Sequence, residues 1–136
     1  MNAFIYTRVS NKAQAQKSGP TRQEEACRRA CDERRWNVIG VIHEVGSAGD
    51  SWQNLPQLVQ LITQVLPQYQ PITLVAEDWA RFSSAGAEDA KNLHHAARQA
   101  GVKLFTLEEA DPRFQQFITG LMHVIQESRA QDEGKE

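Results

Sequence analysis

The stretch that organises this chain reads Tyr6-Thr7-Arg8-Val9-Ser10 and completes an alternating run that begins near residue 2. The alternation is typical of a β-strand and puts Tyr6 and Arg8 on one face, with Ile5 and Thr7 on the other. The polar residues from Asn11 to Gln14 cannot be core, so Ser10 lies where a first strand ends. A hydroxyl two residues beyond a guanidinium group, at a strand's carboxyl end, is a candidate for handling a phosphoryl group.

Length and composition indicate one globular domain. The 136 residues are 40% apolar and 24% charged, which is ordinary for a domain with its own core. No apolar run reaches the roughly 18–20 residues that span a bilayer, and the N-terminus lacks the charged-then-apolar pattern of a signal peptide. We therefore expect a cytoplasmic protein with no membrane partner.

Charge is unevenly distributed along the chain. Residues 1–37 carry eight Lys and Arg against four Asp and Glu, whereas the rest is acidic and the net charge of the whole is −2. A polyanion could meet the first segment, but the footprint of a domain devoted to nucleic acid is absent. If DNA is the partner, we expect few contacts or help from another region.

The two cysteines, Cys27 and Cys31, are spaced to lie one turn apart on one helix face. They could form half of a metal site or a redox pair. No second ligand pair has zinc-site spacing, and the four histidines show no ligand pattern. Two small buried residues are therefore the favoured interpretation, and no metal site is expected.

Strand-like and helix-like stretches alternate four times. After the first strand, strand-like runs lie at 38–42, 72–77 and 102–107, and helical patterns lie at 21–35, 56–66, 87–100 and from 111 onward. Thr21 and Glu24 have the spacing of a capping box, and Gly101 stands at the C′ position after the third helix. The alternation predicts an α/β fold: a mostly parallel sheet of four or more strands, helices on both faces and a long C-terminal helix.

Two local predictions follow from the same patterns. Val38–Ile42 is almost continuously apolar, which is typical of a strand covered on both faces. The third strand is expected to run into a loop at Asp78–Ser84, where Asp78 and Ala80 would share a strand face about 6–7 Å apart.

In open parallel sheets, sites form outside the carboxyl ends of the strands. The residues there are Arg8 and Ser10, Glu44 and Ser47, and Arg81 and Ser84. Two guanidinium groups near a hydroxyl favour phosphate over acyl chemistry, because they bind phosphate oxygens in a fork and stabilise developing charge. The chain has no Gly-x-Ser-x-Gly hydrolase elbow and neither glycine-rich nucleotide loop. A phosphodiester-facing serine and a structural or binding role both stay open at this point.

The same residues resemble the opening of the serine recombinases, the family of resolvases and DNA invertases. The resemblance rests first on Tyr6-Thr-Arg8-Val-Ser10, followed by Gln14, Ser18 and Gln23. It continues at Glu44–Gly49, Leu55–Pro56, Arg81–Ser83 and Val102–Glu108, and into the last helix. It thus spans essentially the whole chain.

The resemblance implies a catalytic domain that cleaves and rejoins DNA in site-specific recombination. A covalent phosphoserine bond would form without a metal or nucleotide cofactor, and the subunits would act as homodimers that pair into a tetramer. By position, the implied catalytic residues are Ser10 as nucleophile, Arg8 and Arg81 as phosphate clamps, Tyr6 as a support of the pocket and Glu44 as the acid after the second strand. The implied DNA contacts are Gln14, Gln23, Ser47 and Arg129.

The chain departs from the family pattern at charged positions. The family reads Asp-Arg-Leu-Ser-Arg after the third strand, whereas this chain reads Ala80-Arg81-Phe82-Ser83-Ser84. A further family arginine is replaced near Asn54. Because losing one preorganised charge typically costs on the order of 10²–10³ in rate, the alternative hypothesis is a catalytically impaired recombinase-like module that acts in oligomerisation or regulation.

The catalytic domain is expected to span residues 1–129, with a charged, disordered tail at 130–136. The family's last helix normally extends along DNA to a separate DNA-binding region, so we expect either a domain of a longer protein or a short member. Burial of the apolar stripe on that helix could require a partner subunit, and packing on its own sheet explains the stripe equally well. An unrelated flavodoxin-like small-ligand binder is the third hypothesis, and the missing phosphate-cradling glycine loop counts against it.

Overall fold

A computed structural model describes the protein in residues 1–15, 19–47, 49, 51–110 and 120. The strands are β1 (Asn2–Val9), β2 (Asn37–Val45), β3 (Ile72–Ala76) and β4 (Val102–Thr106). The helices are α1 (Lys12–Ala15), α2 (Gly19–Glu33), α3 (Pro56–Gln60), α4 (Trp79–Phe82) and α5 (Ala87–Gln99). α3 continues through a π-helical turn at Leu61–Val65 and a 3₁₀ turn at Leu66–Tyr69, and further 3₁₀ turns form at Trp52–Asn54 and Leu107–Ala110. Apart from Gly120, the expected long last helix and the tail lie outside the described residues.

The four strands form one parallel sheet in the order β2-β1-β3-β4. This confirms the predicted α/β fold with a parallel sheet. β1 pairs with β2 along its whole length, from Asn2 to Val9, but with β3 only from Asn2 to Ile5. The carboxyl half of β1 therefore has a strand on one side only, and other groups must satisfy its backbone on the β3 side.

Two apolar clusters cover opposite faces of the sheet, as the alternation in β1 predicts. On one face, Tyr6 and Leu74 pack with side chains of α3 and α5, among them Leu58 and Leu93. On the other, the buried residues are Ala3, Ile5, Val75 and Phe105 of the strands together with Cys27 and Cys31 of α2. The helices thus lie on both faces, as predicted.

The prediction that β2 is covered on both faces is confirmed only in part, because Val38 and Val41 pack against the cluster around α2 and Ile42 against the opposite cluster, but all three are only partly buried. β2 is an edge strand, and the exposed fractions of Ile39 and Val45 are 39% and 44%. A continuous apolar run indicates only that its residues have apolar partners. It cannot report which strand ends a sheet, because that depends on how the strands order themselves. By contrast, all five residues of β3, a central strand, are buried.

Two local predictions at helix starts are also corrected. α2 begins at Gly19, so Thr21 lies inside the helix and is not its N-cap. The stretch after β3 is not a simple loop, because Trp79–Phe82 forms a helical turn with Asp78 at its N-cap position. Asp78 and Ala80 therefore do not share a strand face.

Two further local expectations, for the cysteines and for Gly101, agree with the structure. Cys27 and Cys31 are free and fully buried, and burial raises the pKa of the Cys27 thiol to about 12. Gly101 follows α5 with a φ of 74°, the left-handed conformation expected of a C′ glycine. Gln70 packs over that glycine and donates to the carbonyl of Ala100 at 2.7 Å. Within the described residues, no helix is long and apolar enough to cross a membrane.

Candidate active site

The candidate site is the edge of the sheet where β1, β2 and β3 end. Arg8 lies directly across from Glu44 in the register of β1 and β2. Ser10 follows the last residue of β1 and is exposed. The parallel topology brings these residues to the same edge as Arg81, which is in α4 just beyond β3.

Arg8, in β1, holds the chain segments that follow β2 and β3. Its guanidinium group donates to the carbonyl oxygens of Gly46 at 2.7 Å, Ala80 at 2.8 Å and Arg81 at 3.1 Å. The residue is only 7% exposed. Three of its five N–H donors are therefore engaged by the backbone, and Arg8 holds the edge together in addition to placing a positive charge there.

Arg81, in α4, in turn contacts the backbone of Arg8. Its Nη1 donates to the carbonyl of Arg8 at 3.3 Å, so each arginine contacts the other's backbone. Two carboxylates flank the same guanidinium group: Glu77 Oε1 lies 3.7 Å from Nη2, and Asp78 Oδ2 lies 3.6 Å from Nε. The helical turn of α4 brings Asp78 this close, whereas a strand would have kept the two apart.

Tyr6 and Glu44 form a buried pair beneath the edge. The Tyr6 hydroxyl donates to Glu44 Oε1 at 2.7 Å, and the backbone N–H groups of Gln57 and Leu58 donate to the two carboxylate oxygens at 2.8 and 3.1 Å. Burial and the hydrogen bond to Glu44 raise the pKa of Tyr6, so its hydroxyl remains a donor. Glu44, 2% exposed, thus binds the N-terminus of α3, where the orphan N–H groups favour a carboxylate.

Gln23 is buried against β1. Its amide accepts from the backbone N–H of Arg8 at 3.2 Å and donates to the backbone carbonyl of Arg8 at 3.1 Å. It is 1% exposed. The resemblance implies a DNA contact for Gln23, but the structure places its side chain as a substitute for the missing strand beside residue 8.

Of the other three expected DNA contacts, the structure describes the side chain of Ser47 alone. Ser47 is exposed after β2, and its Oγ accepts from the Gly49 amide at 3.3 Å. The backbone of Gln14 lies in α1, but its side chain is outside the described residues, and so is the whole of Arg129.

Sequence reasoning missed three charged residues at this edge. Arg22 of α2 forms a two-pronged ion pair with Glu77, with Nη2 3.0 Å from Oε1. Asp89 of α5 accepts hydrogen bonds from Ser51 Oγ at 2.7 Å and Ser83 Oγ at 2.6 Å. The strand-end rule could have identified Glu77, which directly follows β3, but no local pattern indicates its partner on α2.

A separate groove of ≈ 700 Å³ lies between α5 and β4. Its charged and titratable lining residues are Lys91, His94, His95, Arg98 and Lys103. None of them belongs to the edge described above, so the candidate site does not coincide with this groove. Among the described residues, no group of three or more His, Cys, Asp and Glu could hold a metal ion.

A model of the resolvase N-terminal domain family matches residues 3–135 of the chain. The chain belongs to the resolvase family of serine recombinases. No curated protein matches it in sequence. The family match spans nearly the whole chain, in agreement with the resemblance read from the residues around Ser10.

Solved catalytic domains of serine recombinases have the same fold. The N-terminal catalytic domain of TP901-1 integrase is 19% identical with a TM-score of 0.69, over 97% of this chain and 99% of that one. A resolvase family site-specific recombinase from Streptococcus pneumoniae is 16% identical with a TM-score of 0.64, over 97% and 93%. The C-terminal catalytic domain of ISC1926 TnpA, an IS607-like serine recombinase, is 19% identical with a TM-score of 0.64, over 92% and 80%.

The two departures from the resolvase pattern lie on the surface of the edge. Ala80 and Ser84 are both exposed, the first within α4 and the second just after it. Asn54, near the third missing charge, is also exposed and ends the 3₁₀ turn before α3.

Proposed function

We propose that this domain cleaves and rejoins DNA in site-specific recombination through a covalent bond between Ser10 and a DNA phosphate. The observation that carries the proposal is the interlocked pair Arg8 and Arg81 beside an exposed Ser10, in a chain of the resolvase family. As the resemblance implies, the acting form would be a homodimer that pairs into a tetramer.

The proposed step exchanges one phosphoester bond for another. Ser10 Oγ forms a bond to phosphorus while the bond from phosphorus to the 3′ oxygen breaks, and the freed 3′ oxygen takes up a proton. Rejoining runs the same exchange in reverse with a 3′ hydroxyl of the new partner strand. Since the number of phosphoester bonds is unchanged, the exchange needs no energy from a nucleotide.

The surrounding residues have distinct roles in this proposal. The guanidinium groups of Arg8 and Arg81 stabilise the charge that develops on the phosphoryl oxygens under attack. Tyr6 and Glu44 act as positioning residues, because their buried hydrogen bonds fix β1, β2 and the start of α3 relative to one another. Gln23 does the same for the backbone of Arg8.

The test of Ser10 is a search for its covalent DNA adduct. Random-sequence duplexes with a nick near each strand's centre would trap the cleaved state, since the short released piece diffuses away before rejoining. We expect a denaturant-resistant protein–DNA adduct that is lost in Ser10→Ala and retained in Ser84→Ala, a matched exposed serine at the same edge. An adduct that persists in Ser10→Ala would contradict the assigned nucleophile.

The second candidate is a recombinase-like module without cleavage activity that acts in oligomerisation or regulation. It is favoured by Ala80 and Ser84 and by the carboxylates of Glu77 and Asp78 at the guanidinium group of Arg81. Intact DNA after prolonged incubation, together with a stable dimer on a sizing column, would support this candidate over the first.

A further inference from the structure

Glu77 joins two guanidinium groups that come from different helices. Its Oε1 lies 3.0 Å from Nη2 of Arg22 and 3.7 Å from Nη2 of Arg81. One carboxylate oxygen thus occupies the space between α2 and α4 where both cations converge. Neither Arg22 nor Glu77 belongs to the residues that carry the family resemblance.

Arg22 is held next to the candidate site by its neighbour. Gln23 is bonded to both backbone polar groups of Arg8, which fixes the first turns of α2 against the end of β1. The side chain of Arg22 nevertheless remains 58% exposed, whereas that of Glu77 is 17% exposed. The guanidinium group of Arg22 is therefore open to an anion arriving from solvent, and the side chain of Arg81, which is 26% exposed, is partly open.

We propose that Arg22 is a third phosphate-binding residue and that Glu77 occupies, in the DNA-free protein, the place that a DNA phosphate takes between Arg22 and Arg81. This inference rests on the proposed function, because it names a further DNA contact of the same site. Arg22 would supply from α2 a guanidinium group of the kind that is missing at Ser84.

The chemistry of the pair favours such an exchange. Carboxylate and phosphate use the same forked contact with guanidinium, and the phosphate offers more acceptor oxygens. The side chain of Arg22 is 58% exposed, so water and salt screen its ion pair with Glu77, and an incoming phosphate competes with a weak internal contact. A pair with a purely structural role would instead be expected to lose stability and DNA binding together when either partner is removed.

The experiment measures binding of the purified protein to random-sequence duplex DNA over a range of salt concentrations. We expect Arg22→Gln to weaken binding on the order of tenfold and to lower the slope of log affinity against log salt by about one. Arg28→Gln is the matched control, because Arg28 is also a half-exposed, ion-paired arginine of α2, bonded to Glu24 at 2.7 Å. Arg28→Gln should leave both the DNA affinity and the salt slope close to those of the unsubstituted protein.

Glu77→Gln provides the opposite test. Removing the competing carboxylate should strengthen DNA binding severalfold, and the gain should disappear in the double variant Arg22→Gln/Glu77→Gln. Arg22→Lys, which keeps the charge but not the fork, should restore the salt slope and only part of the affinity. An unchanged salt slope in Arg22→Gln, or weaker binding in Glu77→Gln, would overturn the proposal.

The outcome is separable from that of the proposed function. The binding measurements do not require cleavage and can be repeated in Ser10→Ala. A reduced salt slope in Arg22→Gln without any Ser10 adduct would support the DNA contact and contradict the cleavage activity. A Ser10 adduct together with an unchanged salt slope in Arg22→Gln would support the cleavage activity and contradict the DNA contact of Arg22. Thermal unfolding of each variant checks that the fold is intact.

Discussion

At the scale of single residues, the edge depends on polar side chains that replace missing backbone partners. Beyond Ile5, β1 has no β3 residue beside it, yet the backbone of Arg8 is buried. The amide of Gln23 has the same donor and acceptor as a peptide group and pairs with both backbone groups of Arg8. A buried amide at this place therefore sets the position of the proposed phosphate clamp.

Gln23→Ala should destabilise the protein without changing its surface. The substitution removes the hydrogen-bond partner of the Arg8 N–H, whereas the Arg8 carbonyl keeps the donor Arg81 Nη1, and an unsatisfied buried group costs about 1–3 kcal/mol. We expect the free energy of unfolding in urea to fall by about 1–3 kcal/mol. Gln99→Ala, at an exposed site on α5, is the control and should change it by less than about 0.5 kcal/mol. A Gln23→Ala protein as stable as the control would refute this role.

At the scale of secondary-structure elements, two carboxylates hold loops that the sheet alone would not hold. Glu44 reaches from β2 to the first N–H groups of α3. Asp89, in the first turn of α5, accepts from the Ser51 hydroxyl, the Trp52 amide at 2.9 Å and the Ser83 hydroxyl. Asp89 thereby links the loop before α3 to the chain that leaves α4, which carries Arg81.

Asp89 makes stability depend on pH in the acid range. Its partial burial raises the pKa of the carboxyl, but the three hydrogen bonds outweigh burial and leave the pKa below its ordinary value. Since the folded pKa is depressed, the stabilisation is present above the unfolded pKa of about 3.9 and is lost as pH falls through the folded pKa. Chemical unfolding from pH 7 to 3 should therefore show a difference between the protein and Asp89→Asn that is constant above about pH 5 and shrinks below about pH 4.

The expected difference at neutral pH is about 1–3 kcal/mol, because hydrogen bonds to an ionised group that is partly exposed are worth less than buried ones. Glu88→Gln, an exposed neighbour in the same helical turn, is the control and should change the unfolding free energy by less than about 0.5 kcal/mol at neutral pH. A difference that is independent of pH would contradict the role of the Asp89 carboxylate.

At the scale of the whole molecule, one sheet edge collects the charged groups of three strand ends. Arg8 contacts the carbonyl oxygens that follow β2 and β3, and Arg81 contacts the backbone of β1. The edge is therefore built as one unit, although two family charges are missing from its surface at Ala80 and Ser84. If the remainder is sound, putting those charges back should improve catalysis.

The double substitution Ala80→Asp/Ser84→Arg should increase formation of the Ser10 adduct. Both positions are exposed, so the larger side chains fit without displacing buried neighbours. One restored preorganised charge is worth on the order of 10²–10³ in rate when it is well placed, and we expect a gain of at least tenfold in the rate of adduct formation. Asn92→Asp/Gln99→Arg adds the same charges on exposed positions of α5 and is the control. No gain over this control would mean that the edge lacks more than two charges.

Much of this architecture follows from patterns within short stretches of sequence. The period of two in β1, the buried run of β3 and the C′ glycine at Gly101 are local properties, because they depend on backbone geometry and on neighbours within a few residues. The parallel topology then brings Arg8, Ser10 and Arg81 to one edge, since parallel strands all end on the same side.

The sequence by itself thus determined the α/β fold, the order of its elements and the edge that carries the candidate site. Only the tertiary structure decided that β2 ends the sheet, that Gln23 and Glu44 are buried supports, and that Glu77 lies between two arginines. The physical reason is distance along the chain. The hydrogen bonds of Gln23 and Glu44 and the Arg22–Glu77 ion pair join residues between 13 and 55 positions apart, and a contact between such residues leaves no period or spacing in the sequence.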